Sequence, residues 1–364
     1  MKVTFLPENL IQYTGLLIKI LPTRPQVPIL SNLLLKAEKG GFYITATDLE
    51  MGVCIKIPAK IEEEGSITIP GKEFLETINS LPKDRVDIFF EKEMVTVNCR
   101  ENKMKFSTIP AEEFPTLFKE KGEEVATFTK DEFMDVFSYL LFSVSQEESR
   151  PQLTGIYIDS GEKGVNFVST DGYRMSVKEV TGKKTKIKGG LIVTAGLISE
   201  ISALKSDDTI TMNLNKSENQ IVVVSGGATF VGRMIEGNFP DYKKVIADKS
   251  ATTVIFDREE LLQCVKLASV FAKDSSNIAS LEVEDKTMKI STRSQGVGEG
   301  EGAIECQKKG ENNKIAFNIR YLMDLLKTVN EKSIELRLNS GTEPALFEVK
   351  ERNFLHVIMP IQVD

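Results

Sequence analysis

Three stretches of the chain alternate apolar and polar residues in the same order. TFLPENLIQYTGLLIKIL (4–21), TFTKDEFMDVFSYLLFSV (127–144) and TVIFDREELLQCVKLASVF (253–271) each set a short β-branched or aromatic run before a helix-periodic one. In the second, Phe133, Val136, Phe137, Leu140, Leu141 and Val144 fall at the i, i+3, i+4, i+7 spacing of one apolar helix face. Thr129 with Glu132 and Asp257 with Glu260 have the spacing of a capping box, and Pro7 suits a first helical turn. A second helix is predicted near the middle of each segment: PGKEFLETINSL (70–81), TAGLISEISAL (194–204) and NIRYLMDLLKTV (318–329). Each follows an apolar strand and precedes alternating ones. The segments close on related strands, KMKFSTIPAEEFPTLF (103–118), TFVGRMIEGNFPDYKKVI (229–246) and FLHVIMPIQVD (354–364).

The elements recur with a period of roughly 125 residues. The pattern predicts an α+β fold of three tandem repeats, 1–122, 123–250 and 251–364, each with two helices packed on antiparallel sheets. Each repeat divides again into two halves of one helix and several strands. The polar stretches FKEKGEEVAT (118–127) and IADKSAT (246–252) read as linkers.

Composition narrows the chemistry. With 41% hydrophobic and 27% charged residues, the chain has the balance of a soluble globular protein. No apolar run approaches the ~18–20 residues of a membrane span, and MKVTFLPENL reads as strand and helix start rather than a secretory signal. The widely spaced Cys54, Cys99, Cys264 and Cys306 fit reduced thiols in a cytoplasm. A single histidine, His356, argues against His-based metal sites and Ser-His-Asp triads, and no carboxylate pair sits in a catalytic motif. No metal, cofactor or catalytic residue is expected: the chain reads as a protein that holds things rather than converts them. GSITIPGK (65–72) fails as a phosphate loop, with five residues between its glycines and Glu73 where Ser or Thr is needed. GVGEGEG (296–302) reads as a flexible surface loop.

Binding features remain. STDGYRM (169–175) predicts a hairpin turn, matched in the first repeat by TDLEMGV (47–53). Only the second repeat adds the Tyr173–Arg174 pair, residue types favoured at binding hot spots. Net charge is −7, so a nucleic-acid contact would need segregated bases. Between Glu8 and Glu38 there is no acid, while Lys19, Arg24 and Lys36 are present. The predicted helices and their flanks add Lys72, Lys83, Arg85, Lys266, Lys273, Arg320 and Lys327, a mild phosphate surface if all six helices face one way.

RPQVPILSNLLL (24–35), TDLEMG (47–52), RPQLTGIYI (150–158), TDGYRM (170–175), IEGNFPDYKKVI (235–246) and VIMP (357–360) stand in the order and spacing of a known family. On these motifs the chain resembles the bacterial sliding clamps, the DNA polymerase III beta subunits. The resemblance implies three DNA-clamp domains per chain and a head-to-tail homodimer, a six-domain ring around duplex DNA without sequence preference. It implies a non-enzymatic processivity factor in the cytoplasm, associated with the nucleoid. Partners would be the replicative polymerase, the clamp loader, and repair and translesion polymerases, docking through short linear motifs. The implied peptide pocket comprises Leu153, Thr170, Gly172, Tyr173, Arg174 and Met175, then Pro240, Lys244 and Val245, then Val357, Ile358, Met359, Pro360 and Ile361. Gln362 and Lys244 stand where relatives often carry Arg, and Gly196 where a basic residue is common. Implied DNA contacts are Arg24, Lys72, Gln146, Asn318 and Tyr321; the implied dimer interface is Met104 and Phe106 against Val270 and Phe271. A scaffold of repeated α+β domains unrelated to DNA is the alternative.

Overall fold

Among the described residues each α-helix follows a strand, which makes six strand–helix units. In the computed structural model the described residues are all but 92, 119, 162, 183–186, 188, 206, 207, 248, 273–275, 295, 297, 363 and 364, so Lys273 lies outside them. The helices among these residues are α1 (Glu8–Ile20), α2 (Gly71–Ser80), α3 (Lys130–Leu141), α4 (Ala195–Ala203), α5 (Arg258–Ala272) and α6 (Ile319–Thr328). They match the six predicted stretches.

Local chemistry explains the helix starts. Thr129 N–H donates to Glu132 Oε2 (2.9 Å) and Glu132 N–H to Thr129 Oγ1 (3.2 Å), the reciprocal bonds of a capping box. Asp257 Oδ1 accepts from the amides of Glu259 and Glu260, and Asn318 Oδ1 from Arg320. The buried faces follow the helical period: Leu10, Leu17 and Ile20 on α1, and Ile319, Leu322, Leu325 and Leu326 on α6. On α3, Phe133, Val136, Phe137 and Leu140 are buried as the spacing predicts, while Leu141 is only half-buried.

The chain divides into two compact units that do not coincide with the three repeats. One unit joins residues 1–133 with 196–234; the other joins 134–195 with 235–364. The reason lies in the sheets. In the first unit an eight-stranded sheet crosses from the first repeat to the second where Ala228–Arg233 pairs antiparallel with Met51–Ile57. A five-stranded sheet of the first repeat ends on Asn102–Ser107.

In the second unit a twelve-stranded sheet crosses from the second repeat to the third where Arg174–Thr181 pairs with Phe354–Ile358. There Tyr139 of α3 is buried in the third repeat's core and donates to Glu331 Oε2 (2.8 Å). Lys178, buried in the same seam, donates to Arg352 O (2.6 Å) and pairs with Asp135 (2.8 Å).

The glycine-rich stretch is a strand, not the surface loop expected. Gly298–Gly310 pairs with Thr287–Ser294 over its first half and with Thr252–Phe256 over its second. A Cβ at Gly300 would lie 2.5 Å from the Phe271 ring, and one at Gly302 2.8 Å from Cys264 Cβ. The Gly-Glu alternation is therefore a face alternation: the glycines let α5 approach, and Glu299, Glu301 and Glu305 face solvent.

Candidate functional site

The Thr170–Arg174 turn is held by its own short side chains. Thr170 Oγ1 accepts from Gly172 N–H (3.0 Å) and donates to Arg174 O (2.6 Å). Asp171 Oδ1 accepts from the amides of Tyr173 and Arg174, both at 2.9 Å. Gly172 takes φ +93°, and a Cβ there would meet the Arg150 guanidinium at 2.8 Å. Tyr173 is left 59% exposed.

Arg174 turns inward. Its guanidinium reaches Asp171 Oδ2 (3.0 Å), Asp324 Oδ2 (2.7 Å) and Phe142 O (2.6 Å), and lies over the Tyr321 ring at 4.6 Å. These contacts make it the peg that joins the turn to the end of α3 and to α6.

Beneath the turn, Met175, Val357, Val168, Val177, Tyr242 and Leu346 form one buried cluster, with Val245 and Phe239 packed against it. Met175 and Val357 are paired across the strands. Beyond Ile358 the terminal segment continues across the surface. Met359 N–H donates to Tyr173 O (2.9 Å) and Ile361 N–H to Ala316 O (2.7 Å). The segment thus spans from the turn to the strand leading into α6, and Met359 is 39% exposed. Leu153 and Thr170 are buried nearby in the fold; Pro240 is exposed, and Lys244 extends into solvent, paired with Asp241 at 3.1 Å.

The structure thus joins the turn, Met175, Val245 and the terminal segment in one apolar site. It adds Tyr242, Phe239 and Leu346. Tyr242 stands in the same GNFPDYKKV phrase as Pro240, so its signal was present in the sequence. Its hydroxyl is pushed up to about 12 by burial and by Asp159, and stays neutral.

A buried polar chain underlies the site. Ser169 donates to Leu140 O (2.8 Å); Ser143 lies 2.7 Å from Ser169 Oγ and donates to Ser176 Oγ (2.8 Å); Ser176 lies 2.9 Å from His356 Nδ1. The Ser143 hydroxyl proton is shared between Leu140 O (3.1 Å) and Ser176 Oγ, so the chain runs unbroken from the end of α3 to the His356 ring. His356 Nε2 is buried without a hydrogen-bond partner. Burial, with Arg174 adding to it, pulls this histidine down to about 3.

Family models now decide the assignment. The N-terminal, central and C-terminal domains of the DNA polymerase III beta subunit match residues 1–118, 127–241 and 243–362. The chain belongs to the DNA polymerase III beta-subunit family. It is similar to the beta sliding clamp of Synechococcus elongatus, 29% identical with 96% of each chain covered, and to that of Vibrio cholerae, 26% identical over the whole of both. The DNA polymerase III beta subunit of Pseudomonas aeruginosa superposes with a TM-score of 0.93 at 25% identity, each chain covered in full. The fold is three tandem clamp domains, and the chain is a sliding clamp, a processivity factor of DNA polymerase.

The remaining expected residues of this clamp lie elsewhere. Arg24 and Lys72 are exposed and have no ion pair among the described residues; Gln146 is exposed in the loop after α3. Lys19 is paired with Glu200 of α4 at 3.1 Å. Asn318 caps α6, and Tyr321 lies under Arg174. Burial and Asp171 raise the Tyr321 hydroxyl. Val270 is 60% exposed on α5, alongside Leu267, which the sequence reading missed; Phe271 packs on Gly300. Met104 and Phe106 share one half-buried face of the edge strand Asn102–Ser107.

Proposed function

We propose that two copies of this clamp close head to tail into a six-domain ring around duplex DNA, with no catalytic step of its own. The domains are taken as 1–122, 123–250 and 251–364. The observation that carries the reading is a pair of unfilled strand edges of opposite charge in the terminal repeats. Among the described residues Asn102–Ser107 has a neighbour on one side only, and it bears Lys103 and Lys105, which have no ion pair there. Gly298–Glu305 is likewise open on the side where only residues 306–310 find a neighbour, and bears Glu299, Glu301 and Glu305. Pairing one edge with its complement in a second copy removes both, and two such pairings close a ring. Apolar Met104 and Phe106, with Leu267 and Val270, supply burial beside the charges.

The apolar site around Tyr173, Met175, Tyr242 and Met359 is assigned to short linear motifs of polymerases, clamp loader and repair proteins. Arg174 positions the turn rather than meeting the peptide. Asn318 and Tyr321 are assigned to the far end of this groove, where Ile361 is anchored, and not to DNA. Arg24, Lys72 and Gln146 are kept as DNA contacts. No helix among the described residues is long and apolar enough to cross a membrane. The proposed work is intracellular, on replicating DNA.

Loading onto a nicked circular plasmid tests the topology. The protein stays with the circle through gel filtration and is released when the plasmid is cut once; retention on the linear product with free ends refutes encirclement.

A further inference from the structure

The first repeat rebuilds the same turn with different residues around it. Thr47 Oγ1 accepts from Leu49 N–H (3.0 Å) and donates to Met51 O (2.8 Å). Asp48 Oδ1 accepts from the amides of Glu50 and Met51 at 2.9 and 2.7 Å. Leu49 takes φ +79°, the conformation that Gly172 takes in the second repeat, and a non-glycine residue held there is uncommon. The crossing strand follows suit: Arg233 N–H donates to Glu50 O (3.0 Å), as Met359 N–H does to Tyr173 O. Val231 stands opposite Gly52, as Val357 stands opposite Met175. Phe114–Pro115 replays Phe239–Pro240.

One substitution opens space. Gly52 occupies the place of Met175, and Leu117 leans over it, so that a Cβ on Gly52 would lie 2.5 Å from a Leu117 methyl. What remains is a cavity of about 180 Å³ walled by Leu49, Met51, Pro115, Leu117 and Val231. That is room for one aliphatic side chain, far below the ~300–1,000 Å³ of a drug-sized pocket. At its polar end stand Arg233, exposed and without an ion pair among the described residues, and Gln220, whose Oε1 is buried without a partner.

We propose that this cleft is a second peptide-binding site, taking a single aliphatic side chain of an extended partner with a neighbouring carboxylate held by Arg233. The inference rests on reading the Tyr173–Met359 groove as a peptide site. It differs in selectivity, because a cation stands where the other groove has apolar Met359, and Glu50 where the other has Tyr173. Glu50 limits the affinity for acidic partners and excludes a run of several carboxylates. A partner with two motifs could then hold one protomer at two points, the second contact being intramolecular once the first is made.

The test uses the full-length protein with methyl-labelled Leu and Val and two acetylated probe peptides, Gly-Leu-Asp-Gly-Gly and Gly-Leu-Lys-Gly-Gly. The Asp peptide shifts the Leu117 and Val231 methyls, binds about tenfold more weakly to the Arg233→Glu variant, and behaves unchanged in the Met175→Glu variant. No shift at Leu117 and Val231 overturns the proposal, whatever happens at Val245 and Val357. Equal or tighter binding of the Lys peptide, or full binding by Arg233→Glu, overturns the role of Arg233. Shifts at Leu117 and Val231 without shifts at Val245 and Val357 keep this cleft and show that the two sites select different peptides, whereas shifts confined to Val245 and Val357 keep the larger groove and remove this one.

Discussion

His356 is the only histidine in the chain, and it is buried with a single polar neighbour. Protonating it would bury a charge away from water, beside the Arg174 guanidinium. The native residue therefore stays neutral where the unfolded chain takes up a proton. Its folded value of about 3 lies below the ordinary 6.5, so the unfolded state binds more protons between them. Stability contributed by this group is intact above pH 6.5 and falls on acidification towards pH 3, by about 1.4 kcal/mol per pH unit. Urea melts across that window should give a steeper acid loss for the native protein than for His356→Gln, and equal slopes would refute the assignment.

At the scale of elements, a turn is only as rigid as its anchors. The Thr-Asp pair fixes the backbone of both copies, at residues 47–51 and 170–174, but only the second is pegged by an arginine. Arg174→Lys keeps the charge but cannot satisfy Asp171, Asp324 and Phe142 O together, leaving the part-buried Asp171 or Phe142 O short of a donor. It should cost about 1–3 kcal/mol of stability and weaken peptide binding through the displaced Tyr173, measured by denaturation and by titration with a partner peptide. Thr47 and Asp48 explain why the same turn appears where no arginine is available: the local hydrogen bonds suffice to make it, and the peg serves to place it.

For the whole molecule, the proposed ring depends on two edges that a single chain leaves open. Lys103→Glu with Lys105→Glu would set like charges against Glu299 and Glu301 of a second copy. Light scattering on dilution should show monomers for that variant and dimers for the native chain. Adding Glu299→Lys and Glu301→Lys in the same chain should restore the dimer. A double variant that stays dimeric removes these edges from the interface.

Much of this architecture is written locally. The six helices, their caps and the repeated Thr-Asp turn depend on residues a few positions apart, and periodicity in the sequence exposes them. The repeats follow from the same local patterns occurring three times. What the chain alone did not reveal depends on residues brought together from far apart. Gly298–Gly310 has a loop's composition and is a strand because α5 needs glycines beneath it, a demand set by packing. Arg174 looked like a surface hot spot and is an internal peg because α6 supplies Asp324 at a separation of 150 residues. Tyr321, expected at DNA, lies under the Arg174 guanidinium through the same long-range packing. Strand pairing across repeats, Val357 against Met175 and Val231 against Gly52, was likewise decided only in three dimensions, since register between distant strands leaves no periodic trace in either one.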